Sequence, residues 1–331
     1  MSARQEAWAI VLAAGDGTRL SSLTTNARGE AVPKQYCSLN GGPSLLQEAL
    51  QRAQRIVSRE RVCAVVACRH EHHWRRTLGM LPARNVIVQP RNCGTANGVL
   101  LGLLHILDRD PLAHIVFLPA DHYVHNEAAL ADSMRMTAML SHDRDGLTLL
   151  GIEPDDIDIE LGYIVPGDAL EQGIRRVERF VEKPSAASAR ELIARGALWN
   201  SFIFWARGST LLELIRGRLS EIAEEMINSL VRDRRGGGMS AVKGLYERLP
   251  VIDFSRAVMQ GAESALRVRT APGCGWTDLG TPRRVARTLQ RLRLASIMQR
   301  PEHVFPLIAS VDLATQYARL WSLNSAAGSD L

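Results

Sequence analysis

Cysteine is scarce in this chain, and the few cysteines present do not form a recognisable pattern. The 331 residues include five cysteines, with no Cys-x-x-Cys pair among them. An odd, scattered set argues against a disulfide framework and against a structural zinc site. We therefore expect a reducing compartment, the cytoplasm. The five are Cys37, Cys63, Cys68, Cys93 and Cys274.

Long apolar runs are also lacking. No stretch reaches the roughly 18 apolar residues that a membrane-spanning helix needs. Near the start, Arg4 precedes a short apolar run that ends in Gly15-Asp16-Gly17 instead of a signal-peptide cleavage site. We expect no membrane partner.

Charge of one sign is in only slight excess. The formal net charge is +5 and the isoelectric point is near 9.2. This balance suits anionic substrates, but it is also common among proteins that bind nothing acidic. We expect no nucleic-acid partner.

The most informative stretch is an apolar run followed by a glycine loop. Trp8 to Ala13 has the length and composition of a buried strand, and Ala14-Gly15-Asp16-Gly17-Thr18-Arg19-Leu20 follows it. Glycine lets the backbone turn tightly and present N–H donors to an oxyanion, and Arg19 adds a guanidinium. The loop lacks the Gly-Lys-Ser/Thr of a P-loop, and Leu20 stands where a dinucleotide loop has its third glycine. A tight turn without a ligand is the alternative.

Strands and helices then alternate up to Ile152. Apolar segments at 62–67, 86–88 and 115–118 predict further buried strands, separated by helices such as 44–55. This alternation predicts an α/β fold with a parallel sheet and right-handed crossovers. Pro119-Ala120-Asp121-His122 directly follows the strand at 115–118, and a carboxylate at that strand end is suited to holding Mg²⁺. A helix-capping aspartate is the alternative.

Three charged or histidine-rich segments have ordinary interpretations. The acidic run 153–160 is most simply a solvated loop. Residues 69–73 contain three histidines, for which a solvated junction between a strand and a helix is favoured over a metal site. From Pro282 the chain predicts a helix whose arginines form a solvated basic face. Helices are also predicted over 209–233 and near 313–323.

Six short motifs occur in a fixed order along the first 280 residues. They are Gly15 to Leu20, Pro33-Lys34-Gln35, Pro119 to His122, Glu182-Lys183-Pro184, Trp199-Asn200-Ser201 and Trp276 to Gly280. In this order they resemble the sugar-1-phosphate nucleotidyltransferases, with the closest resemblance to mannose-1-phosphate guanylyltransferases without an isomerase domain.

The resemblance implies a fold and a domain organisation. The fold class is α/β, with a Rossmann-like, mixed and mostly parallel sheet flanked by helices and a small C-terminal helical appendage. The nucleotidyltransferase domain spans 1–280, with a nucleotide half at about 1–150 and a sugar-phosphate half at about 151–280. A helical extension occupies 281–331.

The resemblance also implies a reaction and a site. A nucleotidyl group passes from an NTP, with GTP favoured, to a sugar 1-phosphate such as mannose 1-phosphate, and pyrophosphate leaves. Catalysis is assigned to Arg19, Lys34 and Lys183, and the Mg²⁺ cofactor to Asp121 and Asp278. Nucleotide contacts are assigned to Ala14, Gly15, Gly17, Thr18 and Thr95. Sugar-phosphate contacts are assigned to Gly162, Glu182, Lys183 and Asn200.

Several alternatives remain open at this stage. Ala13-Ala14-Gly15 with Pro33-Lys34-Gln35-Tyr36 also looks like the cytidylyltransferases of the isoprenoid route, which are shorter and do not need the later motifs. A catalytically silent subunit that binds a sugar nucleotide is another possibility. Gln89 and Gly94 depart from the guanylyltransferase pattern, as does the segment 158–161, so base and sugar are undecided. A homo-oligomer is possible.

Overall fold

The computed structural model describes residues 7–25, 29, 31–141 and 146–299 of the chain. Its nine strands form one sheet. They are β1 (Trp8–Ala13), β2 (Val62–Ala67), β3 (Val86–Gln89), β4 (His114–Pro119), β5 (Leu147–Ile152), β6 (Gly162–Glu171), β7 (Ile174–Glu182), β8 (Leu198–Arg207) and β9 (Leu266–Thr270).

Ten α-helices connect and cover these strands in the described part of the chain. They are α1 (Ser21–Thr24), α2 (Leu45–Gln54), α3 (Glu71–Leu78), α4 (Thr95–Leu107), α5 (Glu127–Ser141), α6 (Ala186–Ala194), α7 (Gly208–Arg218), α8 (Ser220–Gly236), α9 (Ser240–Arg248) and α10 (Pro282–Gln299). Short 3₁₀ turns at Thr18–Leu20 and Lys34–Tyr36, and a π turn at Ser255–Met259, lie near the candidate site.

The sheet has the order β3-β2-β1-β4-β8-β5-β9-β7-β6, and β8 also pairs with β6. Strands β1 to β4 are mutually parallel, as are β5 and β9, whereas β7 and β8 run antiparallel to their neighbours. Seven strands therefore share one direction. The predicted mixed, mostly parallel α/β fold is confirmed.

Two apolar cores cover the two faces of the sheet. Along β1, Ile10 lies in one core with α4, α7, α8 and α9, while Ala9 and Val11 lie in the other with α2, α3, α5 and α6. Successive strand residues point to opposite faces, so a fully apolar strand is the pattern expected for a sheet covered on both sides. The chain is thus a three-layer α/β/α structure.

Most predicted elements are present with shifted boundaries. The helix predicted over 44–55 is α2, which begins after Ser44 in a capping box with Gln47. The helix predicted over 209–233 is two helices, because Leu219 leaves helical geometry between α7 and α8. The helix predicted near 313–323 lies outside the described residues. The sheet is continuous across residue 150, and the division into domains stays a prediction.

Within the described residues, none of the helices combines the length and the apolar character required to cross a membrane.

A buried ion pair between α2 and α5 supports the loop after β4. The Arg52 side chain has no exposed surface, and its Nε and Nη2 donate to the Glu127 carboxylate at 2.9 and 2.7 Å. Arg52 Nη2 also donates to the carbonyl of His122 at 3.4 Å.

We predict that Glu127→Ala lowers the free energy of unfolding by about 3 kcal/mol, because it leaves the buried guanidinium of Arg52 without a counter-charge. The matched control is Glu225→Ala, since Glu225 pairs with Arg248 and both side chains are at least half exposed. That control should cost less than about 1 kcal/mol. Urea unfolding measures both, and equal losses would contradict the prediction.

Candidate active site

The glycine loop lies at the carboxyl end of β1, and the segment around Lys34 supports it. Gly17 has φ +63°, and a Cβ there would lie 2.8 Å from the backbone nitrogen of Lys34, so the position requires glycine. Gln35 Nε2 donates to the carbonyls of Ala13 at 3.0 Å and Gly15 at 2.7 Å. The Pro-Lys-Gln segment and the glycine loop are therefore one packed unit.

The amino group of Lys34 joins two segments that are far apart in the sequence. Its Nζ lies 3.0 Å from Asp121 Oδ2 and donates to the carbonyl of Asp278 at 2.6 Å. Desolvation acts to raise the pKa of Asp121, but Lys34 and His122 outweigh it and hold that pKa below its ordinary value. Asp121 is thus an anion in contact with a cation at the sheet edge.

Asp278 is held by a second cation, Arg284 of α10. The Arg284 guanidinium pairs with Oδ1 of Asp278 and also with Asp158 Oδ2 at 2.8 Å. Burial acts to raise the pKa of Asp278, but the guanidinium outweighs it and lowers the pKa. Gly280 allows this position of the carboxylate, because a Cβ there would lie 2.2 Å from Asp278 Oδ2 and would displace it.

His122 lies beside Asp121, with its Nε2 3.7 Å from Asp121 Oδ1. Burial lowers its pKa to about 4 although Asp121 and Asp278 oppose the shift, so the imidazole is neutral at pH 7. Its ring packs edge-on against Trp276 with centroids 5.2 Å apart.

A second cluster lies at the ends of β6, β7 and β8. A Cβ on Gly162 would lie 2.5 Å from Glu182 Oε2 and 3.3 Å from the Cβ of Asn200, so these three residues are in contact. Burial, reinforced by Asp253, raises the pKa of Glu182 to about 7. Asn200 Nδ2 donates to the Ser255 hydroxyl at 3.2 Å.

Arg19 and Lys183, two of the cations assigned to catalysis, lie at exposed margins. Arg19 Nη1 pairs with Glu160 Oε2 at 3.1 Å, with both side chains more than 40% exposed. Lys183 is exposed and has φ +50°, and its backbone N–H donates to the carbonyl of Leu161 at 3.3 Å. Such exposed side chains are free to adjust to a ligand.

Thr95 is the first residue of α4 and packs against the segment 252–254. Its hydroxyl accepts from the Phe254 N–H at 2.8 Å. A Cβ on Gly94 would lie 2.3 Å from the carbonyl of Ile252, so glycine allows this close approach. Thr95 is linked to the second cluster through Phe254, which precedes Ser255.

The structure thus brings most of the predicted site residues into two clusters, while Arg19 stays at an exposed margin. Lys34, Asp121 and Asp278 are in direct contact beside the glycine loop of Ala14, Gly15, Gly17 and Thr18. Gly162, Glu182 and Asn200 form the second cluster. Lys183 follows Glu182 directly, and Thr95 lies at the start of α4.

The acidic run 153–160 is largely exposed, as predicted, but the arginines of α10 pair with it, and Arg284 does not lie on a solvated face. Arg283 pairs with Asp156 at 3.3 Å, Arg287 with Asp155 at 3.2 Å, and Arg284 is largely buried against Asp158. Opposite charges on the two segments attract, so α10 packs on the loop 153–160. Sequence reasoning missed Arg284, whose one signal was its position six residues after Asp278.

The histidine segment is also less solvated than predicted. His70 is 8% exposed, and burial lowers its pKa to about 4. Arg69 pairs with Asp16 of the glycine loop, and Asn92 Nδ2 donates to Asp16 Oδ2 at 3.1 Å. Among the residues that the structure describes, no group of three or more histidine, cysteine or acidic side chains is arranged to hold a metal ion.

The fold and the site define the class of this protein: an α/β protein whose candidate site lies at the carboxyl edge of a mixed sheet, beside a glycine loop. The family model described as Nucleotidyl transferase matches residues 8–292. The chain belongs to this family.

Curated relatives match most of this chain. Xanthan biosynthesis protein XanB of Xanthomonas campestris pv. campestris is 30% identical over 281 residues, covering 82% of this chain and 57% of its own length. Mannose-1-phosphate guanylyltransferase of Klebsiella pneumoniae is 29% identical over 286 residues, covering 82% and 58%. The chain therefore spans a little over half the length of these relatives.

Solved structures share the fold. The crystal structure of mannose-1-phosphate geranyltransferase from Thermus thermophilus has a TM-score of 0.72 and 31% identity, covering 86% of this chain and 79% of that one. UDP-glucose pyrophosphorylase complexed with UDP-glucose has a TM-score of 0.56 at 14% identity, covering 88% and 100%. The second similarity shows the fold alone.

We predict that the raised pKa of Glu182 makes the folded protein less stable as the pH rises from about 4.5 to about 7. In this range the folded state retains a proton that the unfolded state has lost, so the free energy of unfolding falls with pH. Glu182→Gln should reduce this fall by about 1–2 kcal/mol.

Urea unfolding at several pH values across this range measures the effect. Glu178→Gln is the matched control, because Glu178 lies on the same strand in an exposed pair with Arg195. Stability curves for wild type and Glu182→Gln that stay parallel with pH would contradict the raised pKa.

Proposed function

We propose that the protein transfers a nucleotidyl group from an NTP to a sugar 1-phosphate, releasing pyrophosphate, with GTP and mannose 1-phosphate as the favoured pair. The observation that carries this proposal is the cluster of Lys34, Asp121 and Asp278 beside the glycine loop, together with the second cluster of Gly162, Glu182 and Asn200. One cluster would take the nucleotide phosphates and the other the sugar phosphate.

The relatives support this choice of substrates. The Klebsiella pneumoniae protein is named for guanylyl transfer to mannose 1-phosphate, and XanB for xanthan biosynthesis. For this chain we propose a role in making a nucleotide sugar for a polysaccharide. Cytoplasmic localisation and a homo-oligomer stay predictions.

The cations of the chain have distinct proposed roles. Attack of a sugar phosphate on the α-phosphorus brings two anions together, so positive charge is needed on several sides. Arg19 beside the glycine loop and the buried Lys34 would hold the β and γ phosphates and the departing pyrophosphate. Exposed Lys183 would hold the incoming sugar phosphate.

Hydrogen-bonding groups would position both substrates. Ala14, Gly15, Gly17 and Thr18 of the glycine loop, and Thr95 at the start of α4, would offer backbone to the nucleotide. Glu182 and Asn200 would bond sugar hydroxyls beside Gly162, where a side chain would collide with Glu182.

The two aspartates fit a magnesium ion by the chemistry of their oxygens. Mg²⁺ is typically held by one or two carboxylates together with water and substrate phosphates, and it needs no larger protein cluster. The Asp121 side chain is 38% exposed and accessible for such a role. Bound Mg²⁺ would supply positive charge to the nucleotide phosphates.

The reaction needs no general base from the protein. A phosphomonoester with a second pKa of about 6 is already mostly dianionic at neutral pH. This agrees with a neutral His122, whose pKa of about 4 makes it a poor proton acceptor at pH 7. Alignment of the two substrates, together with the surrounding positive charge, would accelerate the reaction.

We predict that Asp121→Ala and Asp278→Ala each reduce Mg²⁺-dependent pyrophosphate release by at least about 100-fold, because each removes a charged ligand. The assay uses GTP with mannose 1-phosphate, and then the other NTPs with a small panel of sugar 1-phosphates. Asp132→Ala is the control, since Asp132 is 70% exposed on α5.

Circular dichroism would check that each variant folds. Near-normal turnover in both variants would reject the metal assignment. A wild-type protein that binds sugar nucleotides but releases no pyrophosphate with any pair would favour the regulatory subunit.

We predict that Lys183→Ala raises the KM for the sugar 1-phosphate about tenfold or more while the KM for GTP changes little, because Lys183 lies with the sugar cluster. Lys243→Ala, which removes an exposed lysine of α9, is the matched control. Steady-state kinetics with each substrate varied in turn measures both constants. An equal rise for both substrates would contradict this assignment.

A further inference from the structure

Each proposed metal-binding carboxylate already has a cation of its own. Lys34 contacts Asp121 at 3.0 Å, and Arg284 contacts Asp278. A metal ion that used both carboxylates would have to compete with these two side chains. This competition rests on the proposed function, because it takes Asp121 and Asp278 as metal ligands.

Arg284 differs from Lys34 in having a second carboxylate within reach. It is largely buried, with 14% of its side chain exposed, and Nη2 lies 2.8 Å from Oδ2 of Asp158, whose side chain is 13% exposed. Its guanidinium stacks over the ring of Trp199 at 4.8 Å. These contacts would keep Arg284 neutralised and packed if it released Asp278.

The charges of the site explain why such a release needs a ligand. Lys34 and Arg284 supply two positive charges, against three negative charges from Asp121, Asp158 and Asp278. The net charge of these five side chains is therefore −1. A divalent cation binds more tightly when more of its ligands are charged, so a net charge of −1 gives weak binding. The polyphosphate of an NTP would add the missing negative charge.

We propose that Arg284 is a positioning residue that occupies Asp278 in the free protein and so prevents tight binding of the divalent cation until the nucleotide arrives. Arg284 then remains paired with Asp158 on the loop 153–160. The consequence is an order of binding in which the free protein has low affinity for the ion and the nucleotide complex has high affinity.

The neighbouring arginines of α10 provide matched controls. Arg283 pairs with Asp156 at 3.3 Å, and both side chains are more than 40% exposed. Arg283 has the same charge as Arg284, lies on the same helix and pairs with the same loop, 153–160. In the described structure it does not contact Asp278. Removing Arg283 therefore changes the net charge equally without releasing the proposed ligand.

The experiment measures Mn²⁺ binding to the nucleotide-free protein by electron paramagnetic resonance of the free ion, since Mn²⁺ accepts the same oxygen ligands as Mg²⁺. We expect Arg284→Met to bind Mn²⁺ about tenfold more tightly than wild type, because a unit positive charge has left a largely buried site. Arg283→Met should match wild type. Methionine retains an apolar stem over Trp199.

Two further variants protect the result against misfolding and against a general charge effect. Arg284→Gln keeps a hydrogen-bond donor for the two carboxylates and should also bind Mn²⁺ more tightly. Adding Asp278→Asn to Arg284→Met should remove the gain. Thermal unfolding followed by tryptophan fluorescence identifies the variants that are folded.

The outcomes separate this inference from the proposed function. Water-proton relaxation with Mn²⁺ and GTP tests whether the wild-type complex binds the ion at all, and a signal no greater than that of Mn²⁺ and GTP alone would reject the metal assignment itself. If the wild-type complex binds Mn²⁺ but folded Arg284→Met and Arg284→Gln show no gain without nucleotide, the role of Arg284 is rejected. An equal gain in Arg283→Met also rejects it.

Discussion

The buried amino group of Lys34 is the contact on which the site depends. It joins the segment that supports the glycine loop to the carboxylate after β4 and to the backbone after β9, and it does so with acceptors 2.6 and 3.0 Å away. A buried ammonium requires such partners, because an unpaired charge in this position would be strongly destabilising. The same requirement that satisfies the lysine therefore brings Asp121 and Asp278 together.

Backbone strain follows the site residues in a consistent way. Lys183, Phe202 and Leu279 all have φ near +50°, a region that side chains disfavour. Lys183 comes directly after Glu182, Leu279 directly after Asp278, and Phe202 two residues after Asn200. Such conformations persist only where the surrounding structure holds them. Packing, rather than local backbone preference, therefore sets the directions of the neighbouring side chains of Glu182, Asn200 and Asp278.

The fold could be largely predicted from the sequence because its signal is local. Apolar runs such as 62–67 and helix periodicity in α2 are visible in a short window, and the fully apolar strands indicate a sheet covered on both faces. The break between α7 and α8 could not be predicted, because it depends on one residue leaving helical geometry inside a continuous amphipathic pattern. The requirement for glycine at position 17 comes from Lys34, 17 positions away, and Lys34 contacts Asp278, 244 positions away. Neither contact is visible in a short window of sequence.

The site could be predicted only in part. The order of the motifs predicted Lys34, Asp121 and Asp278 as site residues, but it did not predict a contact between Arg284 and Asp158. Both lie in segments whose composition is typical of solvated surfaces, and composition does not show that two such surfaces pair with each other. Burial of Arg284 arises from the tertiary contact of α10 with the loop 153–160, which no short window contains.

Strand β8 has a consequence for how the molecule can move. It is hydrogen-bonded to β4, to β5 and, near Leu198 and Trp199, to β6, so one strand belongs to both halves of the sheet. A hinge between the halves would have to break these ladders, which makes it costly. We therefore expect a nearly constant separation between the two clusters of candidate site residues, with any rearrangement confined to the connecting segments at the sheet edge.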